Sequence, residues 1–164
     1  MGPSLMGPLI GVIGGSSATA METSLAEGVG RALAEEGAVL ICGGRGGVMR
    51  AACRGAKEAG GLTIGILPGT DRGEANPYVE LAIVTGIGYA RNAIIARTAE
   101  AVIAIGGSYG TLSEIAFSLD FGTPVVGLRT WTMEREGHPT TPIIYTTSPE
   151  EAVTKALALA RGTD

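Results

Sequence analysis

Aromatic side chains are scarce, at 4% of 164 residues, and histidine occurs once, as His138. With so few large rings, a core has to be assembled from Ala, Val, Ile and Leu, which suits closely layered helix and sheet. A single imidazole excludes a multi-histidine metal site. Cysteine is limited to Cys42 and Cys53. Their spacing matches neither a zinc ribbon nor a C-x-x-C redox motif, and both stand in apolar or helical contexts, so they read as buried, reduced thiols. Lysine is nearly absent: ten of the twelve basic residues are Arg, the others being Lys57 and Lys155. No basic stripe of the kind that tracks a nucleic-acid backbone is present, and the net charge is −4, so no nucleic-acid partner is expected. No apolar run reaches the length of a membrane span. The segment Met1–Pro8 lacks the basic region of a signal peptide and the Ser/Thr required for myristoylation. The expectation is a cytoplasmic protein with no membrane partner.

What the chain does hold is apolar residues, 45% of the total, and 27 glycines. The length fits one domain, residues 1–164. The glycines show no collagen-like period. They fall between short apolar runs, as at tight strand-to-helix junctions.

The most informative stretch runs from Ala101 to Glu114. Ala101–Ile105 is a five-residue apolar run of strand length, broken by Gly106-Gly107-Ser108-Tyr109-Gly110. Regular structure is expected to resume at Thr111, with Leu112, Ile115, Ala116 and Leu119 at helical spacing. A helix N-terminus carries unpaired N–H groups and partial positive charge, and glycines let an anion reach them. Strand, glycine loop and helix therefore form a candidate phosphate seat. Two readings of Thr111 and Glu114 stand side by side: a T-x-x-E capping box, or a Glu114 that faces a ligand.

The same succession recurs. Leu9–Ile13 is followed by Gly14-Gly15-Ser16-Ser17, whose small and hydroxyl groups suit either a phosphate or the capping of a helix over Glu22–Glu36. Gly37 is a natural helix stop. Ala38–Cys42 leads into Gly43-Gly44-Arg45-Gly46-Gly47-Val48-Met49 and a helix through Ala59. This loop matches neither G-x-G-x-x-G nor the P-loop Gly-Lys-Ser/Thr. Arg45 reads equally as an anion contact or a solvated loop residue. Strands are expected at Leu62–Leu67, Tyr78–Val84, Pro124–Leu128 and Ile143–Thr146, with a polar loop over Pro68–Pro77 and an irregular stretch over Arg129–Pro142. A helix from Tyr89 to Ala99 puts Arg91 in its first turn. A cation is disfavoured there by the helix dipole, which points to an anionic partner for Arg91. Ser148-Pro149-Glu150-Glu151 opens a last helix to Arg161.

Alternation of strands and helices predicts an α/β fold: a single doubly wound, mainly parallel sheet with helices on both faces. Ligands in such sheets bind beyond the carboxyl ends of the strands. Gly14–Ser17, Gly43–Gly47 and Gly106–Thr111 all lie on that edge, so the expected ligand is a small anion of the phosphate-ester kind.

Gly43-Gly-Arg-Gly-Gly-Val-Met49, Arg91 and Gly106-Gly-Ser-Tyr-Gly-Thr-Leu-Ser-Glu114 resemble the Lonely Guy type of Rossmann-like proteins, formerly labelled lysine decarboxylases. Gly65-Ile-Leu-Pro-Gly-Thr-Asp71 and Gly88-Tyr-Ala-Arg-Asn-Ala-Ile-Ile-Ala-Arg97 resemble the branch that includes the molybdenum cofactor carrier proteins. The resemblance implies a Rossmann-like nucleotide-binding domain, with Gly106, Gly107, Gly110 and Thr111 holding phosphate. Gly14, Gly15, Ser16, Ser17, Gly43, Gly44, Arg45 and Ser108 complete the expected ligand-binding set. Two functions follow from it. One is a carrier of a phosphorylated pterin, such as molybdenum cofactor, or of a nucleotide. The other is a nucleoside 5′-monophosphate phosphoribohydrolase releasing free base and ribose 5-phosphate. In the second, Glu114 would stabilise the oxocarbenium-like centre or position water, assisted by Arg91. Neither requires a metal or a resident cofactor. Ile105 stands where the enzymes have proline, and Asn92 follows Arg91 where they have lysine. These departures bear on hydrolysis and leave phosphate binding untouched. A homo-oligomer, dimer or tetramer, is expected from the apolar helices and from the resemblance.

Overall fold

The computed structural model describes residues 6–138 and 142–162. Positions 139–141 of the expected irregular stretch, and the first five residues, lie outside the described residues.

Seven strands form one parallel sheet: β1 (Leu9–Gly14), β2 (Val39–Cys42), β3 (Thr63–Leu67), β4 (Leu81–Val84), β5 (Ala101–Ile105), β6 (Val125–Leu128) and β7 (Ile144–Thr146). Five helices alternate with them: α1 (Ala20–Glu35), α2 (Val48–Glu58), α3 (Arg91–Thr98), α4 (Tyr109–Asp120) and α5 (Pro149–Ala160). The spatial order is β4-β3-β2-β1-β5-β6-β7. The chain steps outward from β1 to β4, then returns to lay β5 against the free side of β1. Winding reverses between β1 and β5, and a crevice opens there at the carboxyl ends of the strands.

The central strands are buried on both faces, which is why they read as unbroken apolar runs. On one face α1 packs against α2 and α5 over Ile10, Val12, Leu40, Ile103 and Ile105. On the other, α3 packs against α4 over Ile13, Ile41, Ile64 and Val102. Cys42 and Cys53 are free and fully buried, with their sulfurs 3.5 Å apart.

Three expectations shift. Strand β4 starts at Leu81 rather than Tyr78 because the Asn76 side chain accepts from the Tyr78 N–H and holds a turn. Helix α4 starts at Tyr109 rather than Thr111, with Ser108 in the N-cap position. Of the two readings left open for Thr111 and Glu114, the capping box is not formed, since Thr111 is already inside the helix. The same T-x-x-E pattern does form a capping box at α1, where Thr19 Oγ1 accepts from Glu22 N at 3.1 Å and Glu22 Oε1 from Thr19 N at 3.1 Å.

Candidate functional site

The crevice between β1 and β5 holds two adjoining chambers. The inner one, about 150 Å³, is walled by Gly14 and Ser16 after β1, by Ser108, Gly110, Thr111 and Glu114 of α4, and by Arg91 and Asn92 of α3. Met49 and Tyr89 close its mouth. The outer one, about 350 Å³, shares Ser16, Met49, Tyr89 and Arg91 with it and adds Arg45, Pro68 and Gly88.

The inner chamber is built from buried polar groups. Arg91 is 8% exposed, Glu114 7% and Thr111 2%. Arg91 Nε and Thr111 Oγ1 have no hydrogen-bond partner. Each buried polar atom left so costs roughly 1–3 kcal/mol, a penalty that a bound acceptor removes. The Ser108 side chain does not cap α4, so the N–H groups of its first turn are left for a ligand. Arg91 and Glu114 share the chamber with no ion pair between them, unlike Arg45–Glu74, Arg54–Glu27, Arg54–Glu58 and Lys57–Glu80, which are paired. Burial pushes the Glu114 carboxyl up to about 8, with the Arg91 charge pulling the other way. Burial likewise lowers the Arg91 guanidinium from its ordinary value, opposed by Glu114. A guanidinium stays charged even so, whereas a carboxyl held that high is neutral at pH 7. The chamber in its free form thus carries net positive charge.

Neighbouring elements hold this geometry. Asn92 Nδ2 donates to Ser113 Oγ at 3.2 Å, and Ser113 Oγ to the Gly110 carbonyl at 2.7 Å, tying α3 to the first turn of α4. The segment after β6 braces the glycine loop from behind. Gly106 N–H donates to the Arg129 carbonyl at 3.0 Å. Thr130 Oγ1 donates to the Gly106 carbonyl at 2.7 Å, and Trp131 Nε1 to the Ser108 carbonyl at 3.2 Å. Gly43 lies against the Arg91 guanidinium, where a Cβ would come within 2.8 Å of Cζ. A larger residue at 43 would have to displace that guanidinium.

The residues expected at the site divide into three groups. Gly14, Ser16, Arg91, Ser108, Gly110, Thr111 and Glu114 meet in the inner chamber, and Arg45 stands in the outer one. Arg45 is half-exposed there and paired to Glu74 at 3.2 Å. Ser17 faces away, into a groove of about 390 Å³ with Arg50 and Arg54. Gly15, Gly43, Gly44, Gly106 and Gly107 line neither chamber. The Gly106 N–H is used by the Arg129 carbonyl, and at Gly107 (φ 115°) a Cβ would meet the Thr111 side chain at 2.6 Å. Gly15 and Gly44 spend their carbonyls on Val48 N and Asn76 N. Met49, Pro68, Gly88, Tyr89 and Asn92 line the chambers but were not among the expected site residues. Tyr89 and Asn92 flank Arg91 in sequence, which was the available signal.

A doubly wound parallel sheet with a polar, partly unsatisfied chamber at its switch point defines a Rossmann-like protein. The SLOG cluster4 family model matches residues 7–153, and the chain belongs to that Lonely Guy-like family. An uncharacterized protein of Archaeoglobus fulgidus is 45% identical over 120 residues, covering 73% of this chain and 79% of that protein. Among solved structures, the molybdenum cofactor binding protein from Rippkaea orientalis is 38% identical, with TM-score 0.82, over 93% of this chain and 96% of that one. The Moco carrier protein from Chlamydomonas reinhardtii is 34% identical, with TM-score 0.83, over 94% and 98%. The chain is similar to carriers of that branch, as the Gly65–Asp71 and Gly88–Arg97 segments led us to expect.

Proposed function

We propose that the protein binds a small phosphorylated ligand in the inner chamber and acts as a carrier, with a phosphorylated pterin such as molybdenum cofactor as cargo. One observation carries this reading: the buried side chains of Arg91 and Thr111, each holding an unpartnered polar atom, line one small polar chamber at a helix N-terminus. A phosphate there accepts from the Arg91 guanidinium and from the first-turn N–H groups of α4. A neutral Glu114 carboxyl can donate to a further phosphate oxygen, where a carboxylate would repel it. Similarity to the molybdenum cofactor binding protein of Rippkaea orientalis and the Moco carrier protein of Chlamydomonas reinhardtii supports the choice of cargo. The test is calorimetric titration of the purified protein with a pterin phosphate and with AMP. Micromolar or tighter binding that collapses in Arg91→Ala is expected; heat indistinguishable from buffer for both would overturn the reading.

The state of Glu114 favours one second reading, phosphoribohydrolase activity. An acid held near neutrality by burial can protonate a departing base. Incubation with AMP and modified AMPs should then release free base, and Glu114→Ala should abolish the release. Prolonged incubation with no base released eliminates it.

A further inference from the structure

Behind the second glycine loop lies a pair of nucleophiles that ligand binding does not use. Cys42 is the last residue of β2, and Cys53 lies within α2, 11 positions on. Both thiols are free, both residues are fully buried, and the sulfurs are 3.5 Å apart. We propose that Cys42 and Cys53 form a reversible modification site: a hydroperoxide converts the dithiol to a disulfide, and the new bond shifts Gly43 beneath Arg91 and weakens ligand binding in the inner chamber. Disulfide formation stands apart from the phosphate reading of that chamber; the loss of affinity that follows rests on it.

Distance, chemistry and connection all favour it. The sulfurs at 3.5 Å have to close to about 2.05 Å, which side-chain rotation and a small backbone shift achieve. The two thiols are not equivalent. The hydrogen bond with Cys42 lowers the Cys53 thiol from its ordinary value, against burial, and Asn76 lowers it further. Cys53 therefore supplies the thiolate, which is the nucleophile. It attacks one peroxide oxygen, the O–O bond breaks, and the departing hydroxide takes up a proton and leaves as water. The Cys42 sulfur then attacks the Cys53 sulfenic acid, the S–O bond breaks, and the Cys42 proton leaves with the second water. Two sulfurs have given up two electrons, and the peroxide has taken them.

Access separates a hydroperoxide from larger reagents. The cover over Cys42 is the loop Gly43–Gly47, four glycines in five residues, whose one long side chain, Arg45, is half-exposed. Gly44 N–H donates to Cys42 Sγ at 3.3 Å. Asn76 holds the loop down, its N–H donating to the Gly44 carbonyl and its Nδ2 to the Arg45 carbonyl. A local lift of that backbone admits a molecule little larger than water, while a bulky thiol reagent needs a wider opening. Both sulfurs also belong to elements that build the chambers. Cys42 precedes Gly43, on which the Arg91 guanidinium lies. Cys53 stands one helical turn beyond Met49, which lines both chambers. Cys42 is close enough to interact electrostatically with both Arg91 and Glu114.

The experiment treats the full folded chain with hydrogen peroxide, quenches with catalase, and alkylates remaining thiols in urea. Mass spectrometry should find the tryptic peptides ending at Arg45 and Arg54 joined through Cys42 and Cys53 within one chain, and dithiothreitol should separate them. Calorimetric affinity for AMP or a pterin phosphate should fall about tenfold on oxidation, the scale of one hydrogen bond to a charged group, and return with dithiothreitol. Cys42→Ala and Cys53→Ala, each checked for folding by circular dichroism, should keep their affinity through the same treatment. An equal loss in either variant would assign the effect to methionine oxidation and overturn the coupling. Absence of the cross-link, with the thiols intact or carried on to sulfinic acid, overturns the site whatever the chamber binds. A cross-link with unchanged affinity overturns the coupling alone. If the reduced chain binds neither compound, the phosphate reading falls by itself, and amide hydrogen exchange over residues 43–47 decides the coupling: faster exchange after oxidation upholds it, and equal exchange overturns it.

Discussion

Replacing Glu114 with Gln tests the electrostatics of the inner chamber directly. The ordinary carboxyl value of 4.5 rises to about 8 in the folded protein because Glu114 is buried. Between those values the unfolded chain loses this proton and the folded chain keeps it. Stability therefore falls as pH rises, because the native state binds the extra proton. Each unit corresponds to about 1.4 kcal/mol. From pH 5 to pH 8 the contribution lost has a ceiling of about 4 kcal/mol, or roughly 10 °C in melting temperature for a domain of this length. Glutamine keeps the shape and carries no proton to lose. Melts of both proteins followed by circular dichroism at half-unit pH steps should diverge. The parent should lose stability between pH 5 and 8 relative to Glu114→Gln, and the gap should level off above pH 8. Parallel profiles would show that Glu114 ionises in its ordinary range, and the reasoning from burial would be refuted.

Four shorter predictions accompany it. Thr111→Val removes a hydroxyl that has no partner, so its melting temperature should hold or rise while affinity for phosphate compounds drops about tenfold. A thermal loss of several degrees would show that the hydroxyl is satisfied within the protein. Gly43→Ala pushes a methyl onto Arg91 and should weaken the same binding at least tenfold with the fold intact by circular dichroism; unchanged affinity would detach Arg91 from the ligand. The hydrogen bond with Cys53, and then burial, push the Cys42 thiol well above its ordinary value, and both sulfurs are shut from solvent, so native protein should react with a thiol reagent far more slowly than protein in urea, and equal rates would contradict this. Leu81, Ile83 and Val84 leave the edge strand β4 40–47% exposed. Such an apolar edge calls for a cover, and the expected homo-oligomer supplies one if Ile83→Lys lowers the mass in sedimentation equilibrium; an unchanged mass would place the contact elsewhere.

Much of the architecture was legible residue by residue. The apolar runs at 9–13, 38–42 and 101–105 coincide with β1, β2 and β5 to within a residue at either end. Gly37 ends its helix at φ 74°, and Ser148 caps α5 by accepting from Glu151 N at 3.2 Å. These signals are local: a strand's apolar run, a helix's period or a cap each sits within a few positions of the structure it specifies. Identical local patterns nonetheless took different fates. Thr19-x-x-Glu22 caps α1, whereas Thr111-x-x-Glu114 lies inside α4 as part of the chamber wall. The difference is that Ser108, gripped by Trp131, already marks where α4 begins.

Sequence alone was enough for the order of strands and helices, for the edge of the sheet on which the glycine turns gather, and for naming Arg91 and Glu114. Only the assembled fold decided that those two meet without pairing, that Gly106 has no N–H to spare, and that Met49, Pro68 and Tyr89 wall the second chamber. The physical reason is range. Backbone conformation follows from neighbours along the chain, while burial, desolvation and the lack of a partner arise where segments tens of residues apart converge.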